Sequence, residues 1–279
     1  MTPIISVEGL LLIYKDPNVL IFDVSNGPFA KNNYLKNHLN KAIFVDVNID
    51  LATINIDLAK GGRHPLPSLE EFSITLGNLG ISKDSHVVLY DDKNGANAAA
   101  RFWWMLKSVG HKKVQVLDGG FQMAKNTGFP INSIEEFPKV KGKYKLSNWL
   151  LSLVSTDEVE KNLKNHNSLI IDVREEGRYK GEFEPIDLVS GHIPGAINIP
   201  FSTNLNKEGL FLEAKELKKN YLKIIKNRES SKIIVHCGSG VTACHTLLAF
   251  EIAGLDIPNL YIGSWSEWSR NEKETVVEK

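Results

Sequence analysis

Short runs of β-branched and apolar residues recur along the chain and are too short to form helices. VVLY at 87–90 and IIVH at 233–236 are hydrophobic at nearly every position, which predicts buried strands of a mostly parallel sheet. Longer stretches between such runs predict helices over Ala98–Val109, Thr156–Lys164 and Thr242–Ile252. Strands that alternate with helices indicate an α/β architecture, in which ligands bind beyond the carboxyl ends of the strands.

The same landmarks occur twice, in the same order and at offsets of 144 to 154 residues. The repeat predicts two copies of one α/β fold. A charged segment that contains Pro138 and Gly142 lies between the copies, so we expect domains at 1–132 and 149–279, joined by a linker at 133–148. The paired landmarks are Asp23 with Asp172, His38 with His192, Asp91 with Cys237, and Gly119 with Gly263.

Composition narrows the class of protein. With 279 residues, 42% hydrophobic and 24% charged, the chain has room for about two globular domains. Its 33 basic and 33 acidic residues cancel, which argues against nucleic acid or an anionic membrane as a partner. No apolar stretch approaches the roughly 18 residues of a membrane-spanning helix, and no signal peptide is expected. With Cys237 and Cys244 as its two cysteines, the chain has no disulfide framework, which fits a reducing, cytoplasmic location.

Candidate chemistry follows the run IIVH, where Cys237 begins the sequence Cys-Gly-Ser-Gly-Val-Thr-Ala. Gly238 and Gly240 allow a tight turn that aims backbone N–H groups inward, and the next helix points its positive end at the same place. Such a loop stabilises a thiolate, so Cys237 is predicted to be a nucleophile. The alternative is a structural cysteine, since free cysteines are often buried.

Two comparisons limit what this loop can do. The corresponding position in the first copy is Asp91, which cannot perform thiol chemistry, so we expect that copy to be catalytically inactive. A protein phosphatase would need an arginine six residues after the cysteine to hold phosphate, and this chain has Ala243 there. The loop therefore argues against phosphate chemistry.

The loop Cys-Gly-Ser-Gly-Val-Thr-Ala-Cys, with HIPGAINIP before it and GSWSEW after it, resembles the tandem rhodanese-family sulfurtransferases. It is most similar to their 3-mercaptopyruvate-using branch. In the first copy, VVLYDD, RFWWML and LDGGF resemble the inactive first domain of that family, so the resemblance covers nearly the whole chain. It implies two rhodanese-like three-layer α/β/α domains, the first inactive and the second catalytic.

The resemblance also implies a cycle in which Cys237 takes a sulfane sulfur from a small anionic donor and holds it as a persulfide. It assigns donor binding to Arg178 and a proton relay to Ser239 and His64, the latter in the first-copy motif RHPLP. No cofactor is expected, and no metal, because no His/Cys cluster has metal-ligand spacing. The remaining residues expected to bind the donor are Gly238, Gly240, Val241 and Thr242.

The donor is left open by two features. Ser239 favours 3-mercaptopyruvate, because the thiosulfate-using branch usually has basic residues in this loop. The 3-mercaptopyruvate branch, however, has a second arginine after its Glu-Pro pair, where this chain has Ile186. The third member of the relay is also open, because Asn48 stands at the position expected for its aspartate. An amide orients a histidine without stabilising its charged form as a carboxylate does.

Turnover, the acceptor and the second cysteine each admit more than one interpretation. A thiosulfate:cyanide sulfurtransferase and a sulfur carrier or binding module without turnover both stay open. Thioredoxin, glutathione and cyanide are candidate acceptors, and a monomer is expected because the repeat supplies each domain with a partner. His236 is interpreted as a core histidine on the opposite face of its strand from Cys237. Cys244 is interpreted as a small buried residue, with a disulfide to Cys237 as the alternative.

Overall fold

The computed structural model describes residues 1–54, 56–165 and 168–278, which pack as two compact units. Each unit includes a short segment from the opposite half of the sequence. The motif RHPLP thereby contributes His64 to unit 2, although it precedes the main part of that unit by about ninety residues. Unit 1 contains Met1–Ala52, Pro67–Leu150 and Lys207–Phe211, and unit 2 contains the described residues of Thr53–Leu66, Leu151–Asn206 and Leu212–Lys279.

Unit 1 is built on a parallel sheet with the strand order β1-β6-β5-β2-β4. A separate antiparallel ladder joins β3 to β7. The elements are β1 (Ile4–Ile5), α1 (Val7–Ile13), β2 (Val19–Asp23), α2 (Ala30–Lys36), β3 (His38–Leu39), β4 (Ala42–Phe44), α3 (Leu69–Asn78), β5 (His86–Tyr90), α4 (Ala99–Ser108), β6 (Val114–Leu117), α5 (Gly120–Asn126) and β7 (Ile131–Asn132).

Unit 2 repeats this sheet. Its strands are all parallel in the order β8-β12-β11-β9-β10, so β11 takes the central place that β5 has in unit 1. The prediction of two α/β domains around mostly parallel sheets is confirmed. The elements are β8 (Leu153–Val154), α6 (Thr156–Asn165), β9 (Leu169–Asp172), α7 (Glu176–Lys180), β10 (Ile197–Asn198), α8 (Ala214–Ile225), β11 (Ile233–His236), α9 (Ala243–Ile252), β12 (Asn259–Tyr261) and α10 (Ser264–Trp268), with 3-10 turns at Phe201–Asn204 and Ser230–Lys232.

The position of β11 explains why three of its four residues are apolar. It pairs with β9 on one side and β12 on the other, and all four of its residues are buried. The three predicted helices begin and end within one residue of α4, α6 and α9. Among the residues that the structure describes, no helix has both the length and the apolar character needed to cross a membrane.

A stacked tyrosine–histidine pair occurs at the same point of both units. In unit 1 the rings of Tyr34 and His38 lie 4.0 Å apart, and the Tyr34 hydroxyl donates to the Ala42 carbonyl at 2.9 Å. In unit 2 the rings of Tyr179 and His192 lie 3.8 Å apart, and the Tyr179 hydroxyl donates to the carbonyl of residue 196 at 2.7 Å. The landmark histidines of the repeat therefore serve packing and hydrogen bonding inside each unit.

The charged segment after β7 packs along unit 1. Tyr144 is buried, and its carbonyl accepts a hydrogen bond from Ser73 Oγ at 2.6 Å. The Trp149 ring stacks on Phe72 with centroids 5.5 Å apart. A β-carbon added at Gly80 would lie 2.7 Å from the Lys139 carbonyl oxygen, so the chain passes close to the end of α3 where no side chain intervenes. This segment is part of the packing of unit 1.

Candidate active site

The thiol of Cys237 lies at the carboxyl end of β11, and only 3% of this residue is exposed. The start of α10 fixes the loop that it begins. Ser264 Oγ accepts the Cys237 N–H at 3.2 Å, and the Cys237 carbonyl accepts the Trp265 N–H at 3.0 Å. The Gly238 carbonyl accepts the Ser266 N–H at 2.8 Å. These bonds hold the thiol in one place, as a reacting group requires.

The two glycines of the loop are needed for different reasons. Gly240 has φ +73°, a region that favours glycine, and an added β-carbon would collide with the Ile262 carbonyl oxygen. Gly238 has ordinary backbone angles, but a β-carbon there would stand 3.2 Å from Arg63 Nη2 and 3.5 Å from Arg178 Nη2. Gly240 therefore permits the turn, whereas Gly238 keeps space open beneath two guanidinium groups.

Ser239 and His64 are brought together. His64 Nδ1 and Ser239 Oγ lie 2.8 Å apart, which is hydrogen-bond distance. The segment that carries His64 is tied to α10 and the residues after it, because the Gly61 N–H donates to Glu267 Oε1 at 2.8 Å and Asn271 Nδ2 donates to the Ala59 carbonyl at 2.7 Å. The histidine predicted from the first half of the sequence thus stands beside the cysteine loop within unit 2.

Arg178 is carried by α7 and held by a buried carboxylate. Its Nη2 donates to Glu184 Oε1 at 2.7 Å, and its Nε donates to Glu184 Oε2 at 3.2 Å. Glu184 also accepts the backbone N–H groups of Ile186 and Asp187 at 3.0 and 3.1 Å, which fixes the turn after it. The Arg178 side chain is thereby held over Gly238 rather than extended into solvent.

Sequence reasoning missed three residues of this cluster: Arg63, Asp187 and Arg270. The Asp187 side chain is fully buried and forms ion pairs with Arg63, with Arg270 at 2.8 Å, and with Arg178 at 3.5 Å. Arg63 directly precedes His64, and this proximity was a signal that could have singled it out. Nothing in the sequence pattern indicates Arg270, which reaches Asp187 only because α10 folds back beside it.

The remaining predicted positions lie as follows. Val241 and Thr242 complete the turn, with their carbonyls accepting the N–H groups of Cys244 and His245. Ile186 is 54% exposed. Lys180, two residues after Arg178 on α7, pairs with Glu176 at 2.6 Å. Asn48 belongs to unit 1, where its side-chain amide donates to Asp46 Oδ1 at 3.1 Å.

The buried polar residues around the loop support it without facing it. His236 is fully buried, with Nε2 3.8 Å from Asp172 Oδ2. Burial lowers the pKa of His236, against the opposing pull of Asp172, which fits its interpretation as a neutral core histidine. Cys244 is buried and donates through Sγ to the Gly240 carbonyl at 3.4 Å, and both cysteines are free thiols. In the described part of the chain, no three His, Cys, Asp or Glu side chains are grouped to hold a metal ion.

In the corresponding loop of unit 1, the side chain of Asp91 occupies the space that the backbone N–H groups face. Asp91 is fully buried after β5, and its carboxylate accepts five backbone N–H groups at 2.8–3.1 Å. The donors are Lys93, Gly95, Asn97, Ala98 and Ala99. Backbone amides that converge in this way form an anion-binding nest.

Two α/β units of one strand order, one with a buried thiol where the other has a carboxylate, define a tandem α/β protein with one thiol site. The Rhodanese-like domain matches residues 6–127 and 155–271, and the chain belongs to that family. This establishes the family that the sequence resemblance indicated.

The relatives carry two kinds of name. A probable 3-mercaptopyruvate sulfurtransferase of Pseudomonas aeruginosa is 35% identical over 98% of this chain and 97% of its own length. A mouse thiosulfate sulfurtransferase is 36% identical over 86% of this chain and 80% of its own. Among solved structures, the 3-mercaptopyruvate sulfurtransferase from Leishmania major superposes with a TM-score of 0.82, at 28% identity over 96% of this chain and 75% of that one.

Proposed function

We propose that this chain is a sulfurtransferase in which Cys237 carries sulfur as a persulfide from an anionic donor to a nucleophilic acceptor. One observation carries the proposal: the buried Cys237 thiol begins a loop that also contains Ser239, which is at hydrogen-bond distance from His64. The guanidinium groups of Arg63 and Arg178 border the same loop at Gly238. A thiol nucleophile, a proton relay and an anion-binding group are the three parts that this transfer needs.

In the first step, the Cys237 thiolate attacks the sulfur of 3-mercaptopyruvate. The new S–S bond forms as the carbon–sulfur bond breaks, and the electron pair of the broken bond stays on carbon as the enolate of pyruvate. The enolate takes up the proton that the donor thiol brought, so the products are pyruvate and the Cys237 persulfide anion. We assign the transfer of that proton to Ser239 and His64, an assignment supported by the position of Ser239 two residues from Cys237 and by its hydrogen-bond distance to His64.

In the second step, an acceptor thiolate attacks the outer sulfur of the persulfide. The S–S bond breaks, the Cys237 thiolate leaves, and the acceptor departs as a persulfide. Thioredoxin and glutathione supply such thiols, while cyanide would leave as thiocyanate. Each fits the chemistry, because the step requires only a nucleophile that reaches the outer sulfur.

The relay favours 3-mercaptopyruvate over thiosulfate as donor. Transfer from thiosulfate releases sulfite, which needs no proton at the moment of bond breaking, so a Ser–His pair would add little. Transfer from 3-mercaptopyruvate releases an enolate, which does need one. The second candidate is thiosulfate, which the name of the mouse relative supports.

We assign the catalytic role to domain 149–279, with 133–148 as connector and the inactive domain at 1–132 contributing His64 through its segment 53–66. The unpaired state of Cys237 suits a reducing cytoplasm, where a thiol acceptor is also abundant. We expect a monomer, which light scattering on the purified chain would test.

The experiment is intact-protein mass after incubation with 3-mercaptopyruvate or with thiosulfate, in wild type, Cys237→Ser and Cys244→Ala. Wild type and Cys244→Ala should gain one sulfur atom, and Cys237→Ser should gain none. The donor that loads wild type faster is the preferred one. No gain with either donor would leave the sulfur-carrier function, in which a protein supplies the sulfur.

A further inference from the structure

Ile186 stands where the 3-mercaptopyruvate branch has its second arginine, yet the structure supplies a second guanidinium from elsewhere. We propose that Arg63 is the second donor-binding cation of this site and that buried Asp187 positions it. The inference rests on the proposed function, because it assigns a residue to the binding of the same donor.

The two guanidinium groups converge on one point. A β-carbon at Gly238 would lie 3.2 Å from Arg63 Nη2 and 3.6 Å from Arg178 Nη1, so nitrogens of both side chains border the space next to Cys237. Two planar guanidinium groups facing one space suit a carboxylate, whose two oxygens each accept hydrogen bonds. Side-chain exposures of 20% for Arg63 and 13% for Arg178 leave both reachable by a small molecule.

Asp187 explains how Arg63 stays in place. Its fully buried carboxylate pairs with Arg63 Nη1, which leaves Arg63 Nη2 directed at the loop. Arg270 Nη1 binds the same Asp187 oxygen at 2.8 Å and the Ser266 carbonyl at 2.7 Å, so the carboxylate is itself anchored to α10. An arginine held in this way loses little freedom when the donor binds, which favours affinity.

The charges of the cluster favour an anionic ligand. Arg174 pairs with Asp172 and also lies 3.4 Å from Glu184, and the Arg174–Asp172 pair adds no net charge. The remaining three guanidinium groups outnumber the two remaining carboxylates by one positive charge, which attracts an anion. The members of this count are Arg63, Arg178 and Arg270 against Glu184 and Asp187.

The test compares Arg63→Gln and Arg63→Lys with Lys60→Gln, which removes a positive charge three residues away. Lys60 is a suitable control because its side chain is 85% exposed and pairs with Asp57. KM and kcat are measured with 3-mercaptopyruvate, together with the inhibition constant of pyruvate, which shares the carboxylate but has no thiol. Arg63→Gln should raise KM and the pyruvate constant by about tenfold, a change of about 1.4 kcal/mol. Arg63→Lys should give a smaller rise, and Lys60→Gln should match wild type.

The outcomes separate the possibilities. Unchanged KM and pyruvate constants in Arg63→Gln overturn the inference, and so does a fall in kcat alone, which would make Arg63 only a support for His64. If Arg63→Gln does not fold, phenylglyoxal labelling of Arg63 in wild type replaces it. Pyruvate should slow that labelling, and equal labelling with and without pyruvate overturns the inference. Sulfur transfer by Cys237→Ser would instead defeat the proposed function, whatever Arg63 does.

Discussion

The loops that follow β5 and β11 occupy the same place in two copies of one fold, and they begin with different side chains, Asp91 and Cys237. The Asp91 carboxylate binds the backbone amides of its own loop, so unit 1 holds a built-in anion. Cys237 has a thiol at that position, and its loop is bordered by arginines. In unit 1 the backbone amides of this loop bind the carboxylate that starts it, and we expect the Cys237 loop to offer the same kind of anion site without filling it.

The Asp91 side chain and a persulfide on Cys237 have the same number of bonds between the β-carbon and the charged atom. The carboxylate oxygens of Asp91 are the second atoms beyond its β-carbon. A sulfur bonded to Cys237 Sγ would also be the second atom beyond the β-carbon, so the persulfide anion would project into its loop from the corresponding position. Asp91 therefore resembles a permanent analogue of the loaded cysteine, and we expect backbone amides to stabilise the persulfide as they do the carboxylate.

The largest expected effect comes from exchanging the two side chains. Cys237→Asp should lower sulfur loading by more than about 10³-fold, because the nucleophile is gone. Adding Asp91→Cys to that variant should not restore loading, since the position two residues on is Lys93 rather than a serine that could join a relay. Intact mass after incubation with 3-mercaptopyruvate measures both. A gain of one sulfur in the double variant would show that the loop alone suffices.

The buried Asp91 carboxylate should make the stability of the fold depend on pH. Burial raises the pKa of Asp91 from 3.8 to about 6, although five N–H groups favour its charged form. Between these values the folded chain retains a proton that the unfolded chain loses, so the free energy of unfolding should fall as pH rises from about 4 to about 6. The pKa difference corresponds to on the order of 3 kcal/mol.

This pH effect is measured by urea unfolding of wild type and Asp91→Asn at several pH values. The stability of wild type relative to the variant should decrease across the window, because the asparagine does not titrate. A constant or increasing difference would mean that the N–H groups outweigh burial and keep Asp91 ionised.

The relay should distinguish the donors. His64→Gln retains a hydrogen-bonding side chain but cannot carry a proton, so kcat with 3-mercaptopyruvate should fall by about 10²-fold. With thiosulfate the fall should be much smaller, because sulfite leaves without a proton. Steady-state rates with each donor, using cyanide as a common acceptor, provide the measurement. Equal losses with both donors would assign His64 a role in holding the loop instead.

The smallest effect concerns the space beneath the arginines. Gly238→Ala should raise KM several-fold and leave the thermal midpoint nearly unchanged, because the new methyl group would lie 3.2 Å from Arg63 Nη2 and displace that group only slightly. Gly142→Ala is the matched control, since a β-carbon there meets nothing within 4 Å. A loss of stability with unchanged KM in Gly238→Ala would show that this glycine serves the turn rather than the donor.

Much of the fold and part of the site followed from local pattern. The continuous hydrophobicity of IIVH predicted a buried strand because β11 is covered on both faces and paired on both edges. His64 Nδ1 and Ser239 Oγ lie 2.8 Å apart, as expected. Only the family motif indicated this contact, because 175 residues separate the two in the sequence. No local pattern encodes such a distance.

The sequence by itself determined the repeat, the parallel α/β sheets, the position of the thiol and the absence of a cysteine from the first copy. Each of these can be read from the types of residues that stand close together along the chain. Tertiary structure alone decided which charges meet. Arg63, Arg178 and Arg270 come from separate segments, and they gather around one buried carboxylate because burying Asp187 without partners would cost several kcal/mol. That requirement acts through space, and it places Arg63 beside Gly238 in the loop that Cys237 begins.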